Sequence, residues 1–135
     1  MPGKPRTLRP AHLGALADSA SAYEKRRGSA RQRGYTVEWD RAAAAFKCEH
    51  PLCLGCKAVG RVTIATVVDH AEPHRGDMVQ FWDRGQWQSA CKWHHDVVKQ
   101  HLERLFASGS IGVDDLRLDS ATAQRVTRLM MPTAT

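Results

Sequence analysis

Two pairs of residues repeat one spacing. Cys53-Leu54-Gly55-Cys56 and Cys91-Lys92-Trp93-His94 each separate two possible metal ligands by two residues. A thioredoxin-like reading would need a single CxxC beside a βαβ pattern, which is absent. Two such pairs can close a tetrahedral site, so Cys53, Cys56, Cys91 and His94 are the candidate ligands of a structural zinc. Cys48 is left over, at a helix end, and is read as a small half-buried residue. A weaker reading pairs Cys48 with the CxxC as a redox zinc switch.

A second group of polar side chains lies between the pairs. Asp69-His70-Ala71-Glu72-Pro73-His74-Arg75-Gly76-Asp77 combines imidazoles, carboxylates and an arginine, and His95 adjoins His94. A histidine with a pKa near 6.5 can take a proton from water near neutrality. A carboxylate with a second imidazole can hold a divalent cation, and an arginine fork suits phosphate oxygens. Each has a plainer reading: Asp69 as a turn cap, Arg75 paired with Asp77, and only one of His94 and His95 binding anything.

These groups need elements to position them. Residues 36–47, TVEWDRAAAAFK, are alanine-rich and predict a helix with Thr36 as cap, ended by Pro51. RVTIATVVD predicts a strand over 62–69, because it is dense in β-branched residues, and Pro73 and Gly76 make the next segment a loop. Residues 86–90 predict a second extended piece. KWHHDVVKQHLERLF then places Val97, Val98, Leu102, Leu105 and Phe106 at helical spacing. Asp69 and His70 are adjacent on a strand, so their side chains start in opposite directions. Phe81, Trp82, Trp87 and Trp93 predict packing around the zinc, with base stacking as the alternative.

At 135 residues, with 42% hydrophobic and 25% charged residues, the chain has room for one modest core. The segment from Cys48 to His101 is short for a hydrophobic core alone, and a structural metal would supply the missing folding free energy. No stretch approaches the ~20 apolar residues of a membrane-spanning helix. A signal-like start, Lys4, Arg6 and Arg9 before Leu13–Ala17, is interrupted by His12 and Asp18, so the protein is read as cytoplasmic. Residues 1–47 hold ten Lys and Arg against four Asp and Glu, while the remainder is balanced. The first 34 residues, rich in Pro and Gly, read as a basic flexible arm. Lys25, Arg26, Arg27, Arg31 and Arg33 would contact nucleic-acid phosphates; the plainer alternative is a solvated tail.

The stretches VVDHAEPHRGD, FWDRGQWQSAC and CKWHHDVVKQ resemble the HNH endonuclease family, in its zinc-stapled bacteriophage and prophage branch. The resemblance covers about 60 residues, roughly Trp39 to Glu103. More loosely, GVDDLRLDSATAQRVTR resembles the C-terminal segment of phage HNH proteins encoded beside packaging genes. The implied fold is α+β: a small ββα-metal (His-Me finger) domain at 35–106, stapled by zinc, with flanking helices, the arm at 1–34 and an extension with a short helix at 107–135. The implied activity is metal-dependent hydrolysis of DNA phosphodiester bonds, with a role beside the phage terminase during packaging. The resemblance casts His70 as general base, and Asp69 and His95 as ligands of one catalytic cation, magnesium, manganese or another first-row ion. His74 and Arg75 would approach the scissile phosphate. Two departures matter. Gln86 stands where the family usually has Asn, one methylene further from the backbone and less fixed. His94-His95 stands where Cys-His is usual, leaving open which imidazole takes the zinc. The rival reading is a zinc-stabilised DNA-binding or packaging module without catalysis.

Overall fold

A computed structural model describes residues 33–132. Residues from Val37 onward form one compact unit. Helix α1 spans Val37–Glu49. Its alanines favour helix, and Glu38 and Asp40 in the first turn and Lys47 in the last suit the helix dipole. Trp39 and Phe46 form its buried face. Helix α2, Leu54–Ala58, is a single turn carrying Cys56. The sheet has two antiparallel strands, β1 (Val67–His70) and β2 (Trp87–Ala90), with Asp69 opposite Gln88 and His70 opposite Trp87. Between them lie helix α3, Met78–Phe81, and a 3-10 turn, Arg84–Gln86. A π-helical segment, His94–Lys99, runs into α4, Gln100–Ala107; a 3-10 turn, Val113–Leu116, and α5, Ala121–Met130, complete the chain. The class is α+β, and the order strand, loop, strand, helix follows the sequence expectation.

The first strand is shorter than expected. Only the end of the β-branched run meets β2, with Val67–His70 as the strand and Thr66 N–H donating to the Ala90 carbonyl (3.0 Å); residues 63–65 instead bond to the turn before α2, through an isolated Leu52–Ile64 bridge, Cys53 N–H to the Thr63 carbonyl (2.7 Å) and Ala65 N–H to the Pro51 carbonyl (2.8 Å). Val62 and Ile64 are thereby left 83% and 73% exposed. Strand propensity reports fit to a pleated surface and says nothing of which partner is present. Likewise, Gln86 lies in the 3-10 turn, and β2 begins at Trp87.

Alternation along the strands sorts two cores. On one face Val68 and Trp87 pack with Trp39, Phe46 and Phe81. On the other, Ala90 packs with Val98 and Leu102, and with Leu116, Leu118, Ala123 and Val126 from the C-terminal segment. The residues expected to form a C-terminal extension thus complete the second core. The expected crowding of aromatics around the zinc is corrected: Phe81 and Trp87 join the α1 core, Trp82 is exposed, and of the four only Trp93 packs on the cysteines. Cys48 is exposed, not half-buried, because α1 turns it to solvent.

Candidate metal centre and catalytic face

Cys53, Cys56, Cys91 and His94 are all buried, and their ligand atoms lie within 4.8 Å of one another. Cys56 Sγ is 3.9 Å from Cys91 Sγ, and His94 Nδ1 is 3.4 Å and 3.5 Å from these two sulfurs. Tetrahedral zinc, with bonds of about 2.3 Å to sulfur and 2.0 Å to nitrogen, sets ligand separations of roughly 3.5–3.8 Å. The donor set and its spacing fit, so this group could hold a structural metal such as zinc. The two knuckles are locally alike: Cys53 Sγ accepts from Cys56 N–H (3.5 Å), capping α2, and Cys91 Sγ accepts from His94 N–H (3.4 Å).

Two further residues shape the centre. At Gly55 a Cβ would lie 2.2 Å from His94 Cδ2, so only glycine leaves room for the imidazole. On the ring's other side His94 Nε2 lies 3.2 Å from Thr127 Oγ1, and that hydroxyl donates to the Ala123 carbonyl at 2.7 Å. Its proton committed, the hydroxyl accepts from Nε2–H, which puts the lone pair on Nδ1, facing the sulfurs. Burial pushes the Cys53 thiol up to about 12, raises Cys56, and pushes His94 down to about 4. The imidazole is already in its ligand form at neutral pH, whereas a metal must displace thiol protons.

The structure separates the two neighbouring histidines. His94 faces the cysteines, while His95 Nε2 lies 3.8 Å from Asp69 Oδ1, its Nδ1 3.0 Å from Asp96 Oδ1. Asp69 is more committed than the sequence suggested. Its Oδ2 accepts from Gln88 Nε2 (2.9 Å) and pairs with Lys99 Nζ (3.1 Å). Lys99, 1% exposed, also donates to the His70 carbonyl and to Glu103 Oε1, each at 2.8 Å. Three ammonium protons meet three acceptors, so a cation at this pair would be left Oδ1 and His95 Nε2. Their 3.8 Å separation is wider than the ~3 Å between adjacent octahedral ligands of a small cation.

His70 points to the opposite face of β1, as alternation requires. Its ring, 6% exposed with the residue, stacks on Trp39 (4.9 Å between centroids), lies 4.5 Å from Phe81 and 5.0 Å from His74. Nε2 is 2.9 Å from the Phe81 carbonyl, to which it must donate, and Trp87 Nε1 donates to the same oxygen (2.9 Å). Burial lowers the His70 pKa, and that of His74. The structure therefore brings Asp69 to His95 and His70 to His74, on two faces of one strand end.

The loop residues fall into place around that end. Gln86 ties the loop shut: its side chain accepts from Glu72 N–H (3.2 Å) and its carbonyl from Ala71 N–H (2.7 Å). Arg75 is exposed with φ +53°, uncommon for a residue with a side chain, and with His74 it lines a pocket of about 310 Å³. Asp77 caps α3, accepting from Val79 and Gln80 N–H. Lys25, Arg26, Arg27 and Arg31 lie outside the described residues; Arg33 lies 5.9 Å over the Tyr35 ring.

Gln88, Lys99 and Thr127 escaped the sequence reading. Lys99 was signalled by its spacing, four residues after His95 and four before Glu103 on one helix. Gln88 was signalled by being two residues beyond Gln86 on a strand; Thr127 had no local signal. Compared with protein-family models, curated proteins and solved structures, the chain matches none. No helix among the described residues is long and apolar enough to cross a membrane.

Proposed function

We propose that this chain is a metal-dependent DNA endonuclease of the ββα-metal type, stapled by zinc at Cys53, Cys56, Cys91 and His94. The observation that carries the reading is the convergence of Asp69, from the end of β1, and His95, from the helix after β2, beside the His70 strand end. In this reading a divalent cation, when bound, neutralises charge developing on the phosphate. Asp69 Oδ1 and His95 Nε2 would hold it, while Lys99 fixes the second Asp69 oxygen. His70, kept neutral by burial and oriented by the Phe81 carbonyl, accepts the proton of the attacking water. His74 and Arg75 steady the phosphodiester, and Gln86 holds the loop that carries them. The products would be a 5′-phosphate and a 3′-hydroxyl. One such site nicks one strand. The C-terminal resemblance extends the proposal to a place beside the phage terminase during DNA packaging.

Two observations favour a second reading, a zinc-stapled DNA-binding module without catalysis: the aromatic burial of His70 and the ammonium already on Asp69. Supercoiled plasmid nicking across magnesium, manganese and nickel separates them. Wild type should nick, and His70→Ala, folded and with unchanged zinc content, should not. Equal residual nicking by both proteins supports the non-catalytic module.

A further inference from the structure

Between the C-terminal end of α1, α2 and β2 lies a pocket of about 390 Å³, apart from the loop that carries His74 and Arg75. Its chemistry is cationic: Lys57, Arg84 and Arg117 line it against one carboxylate, Glu49, with the His50 imidazole at its edge. Both guanidinium groups are held in place by contacts that use few of their donors. Arg84 bonds Glu49 through Nη2 (2.8 Å) and lies 5.7 Å over Trp87 and 6.0 Å over Phe46. Arg117 donates from Nη1 alone, to the carbonyls of Gly85 (3.0 Å) and Trp87 (3.5 Å). A guanidinium carries five N–H donors, so most on each arginine have no partner among the described residues. Arginines already ordered by neighbours lose little freedom on binding, and their planar forks match phosphate oxygens. Lys57 is exposed on α2 and adds a third charge.

Gln88 is among the residues that line the pocket, and its side chain holds Asp69 Oδ2 at 2.9 Å. We propose that this pocket binds a backbone phosphate of a polynucleotide, a second point of attachment beyond the Asp69–His95 face. The identity of the phosphate rests on the nucleic-acid reading above; the anion site itself does not.

The test is an amide NMR titration of the zinc-loaded full chain with a short DNA duplex and, separately, with inorganic phosphate. Duplex should shift the signals of Lys57, Arg84, Gly85 and the Trp87 indole. The exposed pair Lys57→Gln and Arg84→Gln should remove those shifts and flatten the salt dependence of binding by about 0.9 for each phosphate no longer neutralised. Duplex that shifts only residues around Asp69 and His95 overturns the pocket and leaves the nuclease reading standing. Shifts with inorganic phosphate but none with duplex overturn the polynucleotide assignment and give the pocket to a small phosphorylated ligand. No response to either overturns the site altogether.

Discussion

As the proposed base, His70 faces two demands that pull against each other: a base must be neutral, and it must reach water. Its packing against Trp39 and Phe81 meets the first, since burial lowers its pKa. In a pH profile of kcat/KM for nicking, the acid limb should therefore fall below 6.5, and an acid limb above 6.5 would contradict His70 as base. Removing the imidazole in His70→Ala should cost about 10²–10⁴-fold in rate, the usual worth of a positioned base. Lys99 carries a buried charge that matters to folding. Lys99→Met would leave Asp69 and Glu103 without their buried counter-charge, and denaturant titration should show a loss of about 3–5 kcal/mol. Thr127 would act on a bound metal through His94. Thr127→Val keeps its shape and removes the acceptor, so chelator competition should show zinc held about 10–100-fold more weakly, with Thr127→Ser restoring it.

At the scale of elements, consecutive residues of a helix point apart, which parts the two histidines. His94 reaches the cysteines, while His95 and Lys99 both reach Asp69 from the same π-helical segment. π turns recur at functional sites. The closeness of α2 to this segment depends on Gly55. Gly55→Ala drives a methyl into the His94 ring, and the cobalt-substituted protein should lose the visible absorption of tetrahedral thiolate coordination. An unchanged spectrum would show that the ring has room to move. On the other face, the α1 aromatic core should lose about 3–5 kcal/mol in Trp39→Ala, the usual cost of emptying a buried aromatic site.

Among the described residues, two small cores flank a two-stranded sheet, and the candidate metal ligands link α2, the end of β2 and the π segment, with α5 behind His94. Zinc removal should collapse this arrangement, because the binding free energy of such a site, about 10–16 kcal/mol, is as large as the total stability of an ordinary domain. The folded chain should also be acid-sensitive. Burial lowers the pKa of His70 and of His74 below the ordinary 6.5, so the unfolded chain takes up protons first. Their contribution to stability is complete above pH 6.5 and declines as pH falls through it. Melting of the zinc-loaded protein at pH 7.5 and pH 6 checks the sign. Deleting residues 1–34 should weaken DNA binding and flatten its salt dependence, since that segment carries the whole excess of positive charge.

The three cysteines of the candidate metal group, the helix over Val37–Glu49 and the opposed directions of Asp69 and His70 were legible in the sequence, because each depends on spacing along a few residues; the choice of His94 over His95 was left open. Helical and strand periods translate such spacing directly into faces. Partner choice was not legible. That the segment before β1 bonds to the turn at Leu52, that the aromatics gather on α1, and that Leu116, Leu118 and Val126 complete a core are outcomes of packing between distant segments. The same holds for Lys99 on Asp69 and Thr127 behind His94. A side chain's type sets what it can bond; only the folded chain sets which partners stand within hydrogen-bonding reach of it.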